Sequence, residues 1–146
     1  YASHVLEHLD RSTTKNFLRE SMRVLLPRGV IRIVVPDLAY LARRYLETYS
    51  ESHSEAEAFL ASINLRMPEE SSVVRRIYGM LMGYPSLHKT MYDRVTLERT
   101  LAAHGFDEVE CVRRGSSRRI PDLEAVEKPG DGIDEALFEA VKPQTS

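Results

Sequence analysis

The chain has 146 residues, a formal net charge of −2 and a single cysteine, Cys111. That length suits one domain and buries roughly two thirds of its unfolded surface. The near-neutral charge excludes a strong electrostatic pull on nucleic acid or anionic membrane. One cysteine excludes a disulfide framework within the chain and suits a reducing compartment. No apolar run approaches the ~18 residues of a membrane span. The opening residues do not read as a secretory leader. The expectation is therefore a cytoplasmic protein with no membrane or nucleic-acid partner. Tyr1 opens directly onto an element, which suggests a piece of a larger domain.

Tyr1 to Ser3 read as the last step of a strand, and His4 to Leu9 as a helical turn. A clear helix follows from about Thr13 to Leu26. Phe17, Leu18, Ser21, Met22 and Leu25 recur at helical spacing and form one apolar face. Ser12 or Thr13 is its expected N-cap. Pro27-Arg28-Gly29 stops it, with Gly29 expected to supply any positive φ. Val30 to Val35 is β-branched and nearly all apolar, the pattern of a strand buried on both faces of a parallel sheet. Pro36 ends it, and Asp37 can cap a helix over Leu38 to Thr48. Helix, tight turn, buried strand and helix together predict an α/β sheet.

From Ser50 to Pro85 no strand signal appears. Ala56, Phe59, Leu60, Ile63 and Met67 keep helical spacing, as do Val73, Ile77 and Leu81. This stretch, 50–85, reads as a helical insertion that covers substrate. Thr96 to His104 is a short helix ended by Gly105. Glu108 to Val112 and Leu137 to Val141 read as two closing strands. The polar stretch from Arg113 to Gly132 between them reads as a long loop, its arginine pairs solvated. Two such strands predict an antiparallel hairpin at the sheet edge. Cys111 falls in a strand pattern and reads as an inert core thiol.

These residues resemble a family. The run His4-Val5-Leu6-Glu7-His8-Leu9, then Leu18-Arg19-Glu20, then Arg23 to Gly29, resembles the HVLEHL, LxE and RVLKPGG segments of type 11 class I S-adenosylmethionine-dependent methyltransferases. Ile31 to Leu38 looks like that family's fifth strand and its exit. Val74 to Gly79, His88 to Asp93, Ala103 to Phe106 and Glu139 to Pro143 are similar to a bacterial subgroup often associated with cell-surface polysaccharide genes. The likeness covers nearly the whole chain and rests on the order of its segments more than on any one motif. It departs from the family at Arg28, where the family has glycine.

The resemblance implies the C-terminal half of a Rossmann-like methyltransferase sheet, mixed, parallel with an antiparallel closing hairpin, plus the helical insertion. It implies S-adenosylmethionine as cofactor and a small-molecule or glycan-related acceptor. The family's glycine-rich loop and its ribose-binding acidic residue would precede the first strand here. No G-x-G-x-x-G occurs among the seven glycines. The N-terminal cofactor-binding half is thus expected to be absent, and this chain to be inactive alone. The sheet edge left beside Val30 to Val35 is expected to self-associate.

Ligands in open α/β sheets bind beyond the carboxyl ends of the strands. By the resemblance Ser3, His4 and Val5 flank the cofactor's methionine portion, with His8 near the pocket mouth. Asp37 reads as a substrate-side residue or a plain N-cap. His88 and Tyr92, at i, i+4 spacing, are the candidate catalytic pair or a solvent-facing one. Arg75 reads as a substrate-side cation or part of an exposed helix face.

Two other readings compete. His4-Val5-Leu6-Glu7-His8 matches H-x-x-E-H letter for letter, which on a helix gives a zinc hydrolase with Glu7 as base and Glu69 or Glu70 as third ligand. The expectation is nonetheless no metal. The third reading is a non-catalytic remnant or interaction module.

Overall fold

The computed structural model describes residues 1–49, 53–64, 73, 74, 77, 87–127 and 134–144. Strand β1 is Ala2–Ser3. A 3-10 turn, Leu6–His8, separates it from helix α1, Arg11–Val24. Strand β2 is Val30–Pro36, followed by α2, Leu38–Thr48, and α3, His53–Ser62. Helix α4 is Arg94–Ala103, and strands β3 and β4 are Asp107–Cys111 and Glu135–Val141. The result is a mixed α/β fold around a four-stranded mixed sheet in the order β1-β2-β4-β3. Among the described residues no helix is long and apolar enough to cross a membrane.

β1 and β2 run parallel, with Ala2 beside Ile33 and Ser3 beside Val34. β4 runs antiparallel to β2 along its full length, from Val30 opposite Val141 to Pro36 opposite Glu135. β3 pairs antiparallel with the far side of β4. The two closing strands thus pair as expected. They form one side of the sheet, with β4 against β2 and β3 as the edge strand; β1 is the opposite edge. The ladder of β3 is irregular between Asp107 and Glu110, and Glu108 takes φ 49° there.

The period-2 alternation of strands divides β2 and β4 into two inner faces. Ile31, Ile33, Val35, Ala136, Phe138 and Ala140 form one buried cluster with Leu18 of α1 and Leu97 and Leu101 of α4. The helical periodicity of α1 is borne out: Phe17, Met22 and Leu25 pack partly buried against the same cluster. On the other face lies Arg32, its side chain wholly buried. It bonds Glu139 at 2.6 Å and Glu127 at 2.5 Å, and donates to the carbonyls of Ser116 and Arg113. The segment 113–127 therefore folds over this face, with Leu123 and Glu127 buried and most of its other side chains still exposed. Arg114 and Arg119 follow it inward: Arg114 pairs with Glu135 and Arg119 with Glu110. The expectation of solvated loop arginines fails at these two positions.

Three local readings are corrected by backbone chemistry. α1 begins two residues early because Asp10, not Ser12 or Thr13, caps it, accepting from the Thr13 amide at 2.9 Å. α4 begins at Arg94 because Asp93 and Thr96 form a reciprocal capping box. At the turn after α1 the positive φ falls on Arg28, at 64°, and not on Gly29. Gly29 serves a close approach instead: a Cβ there would sit 2.7 Å from the Leu26 carbonyl oxygen. Gly105, at φ 85°, does end α4 as its sequence position indicates. Cys111, by contrast, is exposed, because β3 is an edge strand.

Within the expected insertion, α3 packs on α2 through Tyr45 and Phe59, whose rings stack at 4.8 Å. Ile63 is buried, whereas Val73, Val74 and Ile77 are exposed. Met67, Glu69, Glu70, Arg75, Arg76 and Leu81 lie outside the described residues.

Candidate functional site

The topology brings three chain segments to one edge of the sheet. β1 and β2 are parallel, so Ser3 and Pro36 end at the same edge, and antiparallel β4 starts there with Glu135. A fourth segment, Leu87 to Tyr92, is tied along that edge by backbone bonds. The amides of Lys89 and Thr90 donate to the Glu7 carbonyl at 2.7 and 3.1 Å, and Leu38 donates to the Tyr92 carbonyl at 2.8 Å. Thr90 Oγ1 donates to the Leu9 carbonyl at 3.2 Å. This tether is not helical, so the i, i+4 relation of His88 and Tyr92 carries no meaning.

His4 leaves β1 with φ 54°, a left-handed conformation that a histidine adopts at some cost. Its amide still donates to the Val34 carbonyl at 2.9 Å. Its ring is held between two carboxylates: Nδ1 lies 3.1 Å from Glu7 Oε1 and Nε2 lies 3.1 Å from Glu135 Oε1. The Glu7 hydrogen bond, aided by Glu135, raises the imidazole above its ordinary value against the opposing effect of burial. Glu135 is clamped from its other side by Arg114, at 2.7 and 2.5 Å. That bond in turn raises the Arg114 guanidinium.

Glu7 is fully buried, and its second oxygen, Oε2, has no hydrogen-bond partner among the described residues. Beside it the rings of His8 and His88 meet edge to face at 4.8 Å. His8 Nδ1 contacts the Leu87 carbonyl at 3.3 Å. A carbonyl only accepts, so Nδ1 carries the proton and Nε2 the lone pair. His88 Nδ1 is buried and makes no well-formed hydrogen bond among the described residues, and burial lowers that imidazole below its ordinary value, against a raising contact with the Ile63 backbone. One ligand atom from each of Glu7, His8 and His88 lies within 4.8 Å of the others.

The remaining candidates are placed as follows. Tyr92 is buried in the core, where desolvation raises its phenol, with the Glu7 charge acting in the same sense. Ser3 is half-buried, and Val5 is exposed. Asp37 is buried and fully engaged: Oδ1 caps α2 by accepting from Ala39 at 3.0 Å, and Oδ2 lies 3.3 Å from Arg94. The N-cap accounts for Oδ1 and the Arg94 ion pair for Oδ2, and Asp37 also borders a cavity of about 250 Å³ with Tyr40, Arg43 and Arg94. Arg75 is outside the described residues.

No family model and no curated protein matches this chain.

The zinc-hydrolase geometry does not form as H-x-x-E-H would have it. The motif occupies a 3-10 turn with His4 ahead of it, so His4 and His8 do not stack on one helical face. His4 is committed to two carboxylates. The partner of Glu7 and His8 is instead His88, about eighty positions away in sequence and brought in by the tether. Spacing alone singles out His4, Glu7, His8 and His88, but not that grouping. Glu135 escaped the sequence reading entirely, since nothing marks a strand-opening glutamate until β4 is paired with β2.

Proposed function

We propose that this chain is part of a class I S-adenosylmethionine-dependent methyltransferase acting on a small-molecule or glycan-related acceptor. The observation that carries the reading is the topology. A parallel pair, β1 and β2, is closed by an antiparallel pair, β4 and β3, and polar side chains gather at the carboxyl ends of the parallel strands. That arrangement agrees with the sheet the resemblance implies, and strand carboxyl ends are where open α/β sheets bind ligands.

In this reading Ser3, His4 and Val5 contact the methionine end of the cofactor, with His8 beside them. The sulfonium supplies an activated methyl group. The chain's own task is to align the acceptor oxygen or nitrogen in line with it and to take up the acceptor's proton. His88 suits the second role, because burial keeps its imidazole neutral and ready to accept. Asp37 stands on the acceptor side, and Tyr92 supports the wall from the core. Helix α3 belongs to the cover this reading expects over the acceptor.

The test is titration with S-adenosylhomocysteine followed by amide chemical shifts. Saturable shifts at Ser3, His4, Val5 and His8, even at millimolar ligand, support the reading. Unmoved signals at those four residues, also after the chain is extended at its N-terminus by a glycine-rich cofactor-binding half, overturn it.

A further inference from the structure

The cluster of Glu7, His8 and His88 has a property that methyl transfer does not require. Among the described residues a buried carboxylate oxygen, Glu7 Oε2, lacks a hydrogen-bond partner, and the buried His88 Nδ1 makes no well-formed hydrogen bond, with only the Ile63 backbone within reach of its ring. Such orphans are rare, because a desolvated polar atom left unpaired costs free energy. His8 adds a third donor atom, its Nε2 lone pair freed by the Nδ1 bond to Leu87. Glu7, His8 and His88 each bring one ligand atom within 4.8 Å of the other two, from two segments far apart in sequence.

We propose that Glu7, His8 and His88 bind a first-row divalent transition-metal ion, with the unpartnered Glu7 carboxylate oxygen as the anionic ligand. Two imidazole nitrogens and one carboxylate form a set that suits zinc, cobalt, manganese or ferrous iron better than calcium or magnesium, which prefer all-oxygen shells. Donors at about 2.1 Å around a tetrahedral metal lie roughly 3.4 Å apart. The three ligand atoms lie within 4.8 Å of one another, so they draw together when the ion binds. Three protein ligands leave positions open for water or an acceptor oxygen.

The surroundings match a metal's outer shell. A ligating histidine commonly donates its second nitrogen to a carbonyl, as His8 does to Leu87. A ligating carboxylate is commonly held by a second group, as His4 Nδ1 holds Glu7 Oε1. His4 is thus a positioning residue, fixed in turn by Glu135. The two amide bonds to the Glu7 carbonyl hold the His88 segment against the turn that carries Glu7 and His8.

The test of this inference contains no S-adenosylmethionine, so it stands or falls apart from the methyltransferase reading; with the ion bound, His88 is a ligand and no longer the group that takes up the acceptor's proton. The chelator-stripped chain is titrated with Co²⁺, read by visible absorption, and with Zn²⁺, read by calorimetry. The expected result is one equivalent of each metal, with His8→Ala and His88→Ala each weakening binding by about tenfold or more. His4→Gln weakens it within the range of about tenfold to hundredfold seen for outer-shell partners. Near-UV circular dichroism verifies that each variant is folded. If Glu7→Gln fails to fold, His88→Asn, at a partly exposed position, carries the test in its place. Absence of a stoichiometric site, or wild-type affinity in the folded His8→Ala/His88→Ala double variant, overturns the proposal.

Discussion

Arg32 and Glu139 are direct register partners across β2 and β4, and their buried side chains join at 2.6 Å. Glu127 reaches the same guanidinium from the covering segment at 2.5 Å. One buried cation therefore serves two buried carboxylates, with Arg114 and Arg119 at 3.9 and 3.8 Å supplying further positive charge at the rim. The cluster fastens the 113–127 segment to the sheet. It also reaches the candidate site, because Arg114 clamps Glu135 and Glu135 holds His4.

Removing one partner of a buried ion pair strands the others. Arg32→Met should cost about 3–5 kcal/mol, the usual penalty for an uncompensated buried charge. Replacing the triad together, as Arg32→Met with Glu127→Leu and Glu139→Leu, should recover most of that loss, since the desolvation cost goes with the charges. Urea unfolding of the single and triple variants measures both. A single variant as stable as the parent would contradict the buried network.

The turn after α1 separates two residues by chemistry. Gly29→Ala places a Cβ 2.7 Å from the Leu26 carbonyl oxygen, and should cost about 1–3 kcal/mol through overpacking. Arg28→Gly relieves the left-handed φ of 64° and forfeits only an exposed pair with Glu108. It should be nearly neutral or stabilising. Thermal melts of the two variants should therefore move in different directions or by clearly different amounts.

Asp10 gives a pH signature. The Thr13 amide, helped by Ser12, lowers its carboxyl from 3.8 to about 2. A depressed folded value means stability that is present above the unfolded value and lost as pH falls through about 2. Asp10→Ala should lower the melting temperature near neutral pH, and the gap to the parent should narrow from about pH 4 downward. A gap independent of pH over that range would place the effect elsewhere than in the charged cap.

Cys111 ends an exposed edge strand. A maleimide reagent should label the native chain to one equivalent without denaturant, at a rate close to that of the unfolded chain. Labelling that waits for unfolding would return Cys111 to the core.

Much of the fold was legible because it follows from local pattern. The β-branched run Val30 to Val35, the apolar face of Phe17, Leu18, Met22 and Leu25, and the Gly105 stop each occupy the element expected of them. Asp37 likewise caps α2, as an aspartate before a helix does. The misreadings arose where a polar residue has two local uses. Asp10 took the cap that Ser12 and Thr13 were also able to fill, and Arg28 took the φ expected of Gly29. Cys111 and Arg114 went wrong for a different reason. Burial in a strand or loop depends on what lies across it, and that is a property of strand order.

The candidate site divides in the same way. By itself the sequence determined that His4, Glu7 and His8 follow a short strand, and that an α/β architecture puts them at its carboxyl end, because residue spacing and strand polarity are local facts. Only the tertiary structure decided that His4 faces Glu135, that the turn is 3-10, and that His88 completes the cluster with Glu7 and His8. Those pairings are made by strand insertion and by a tether bonded to the Glu7 carbonyl. Contacts across such distances in sequence are set by the packing of the whole sheet, and no window of neighbouring residues encodes them.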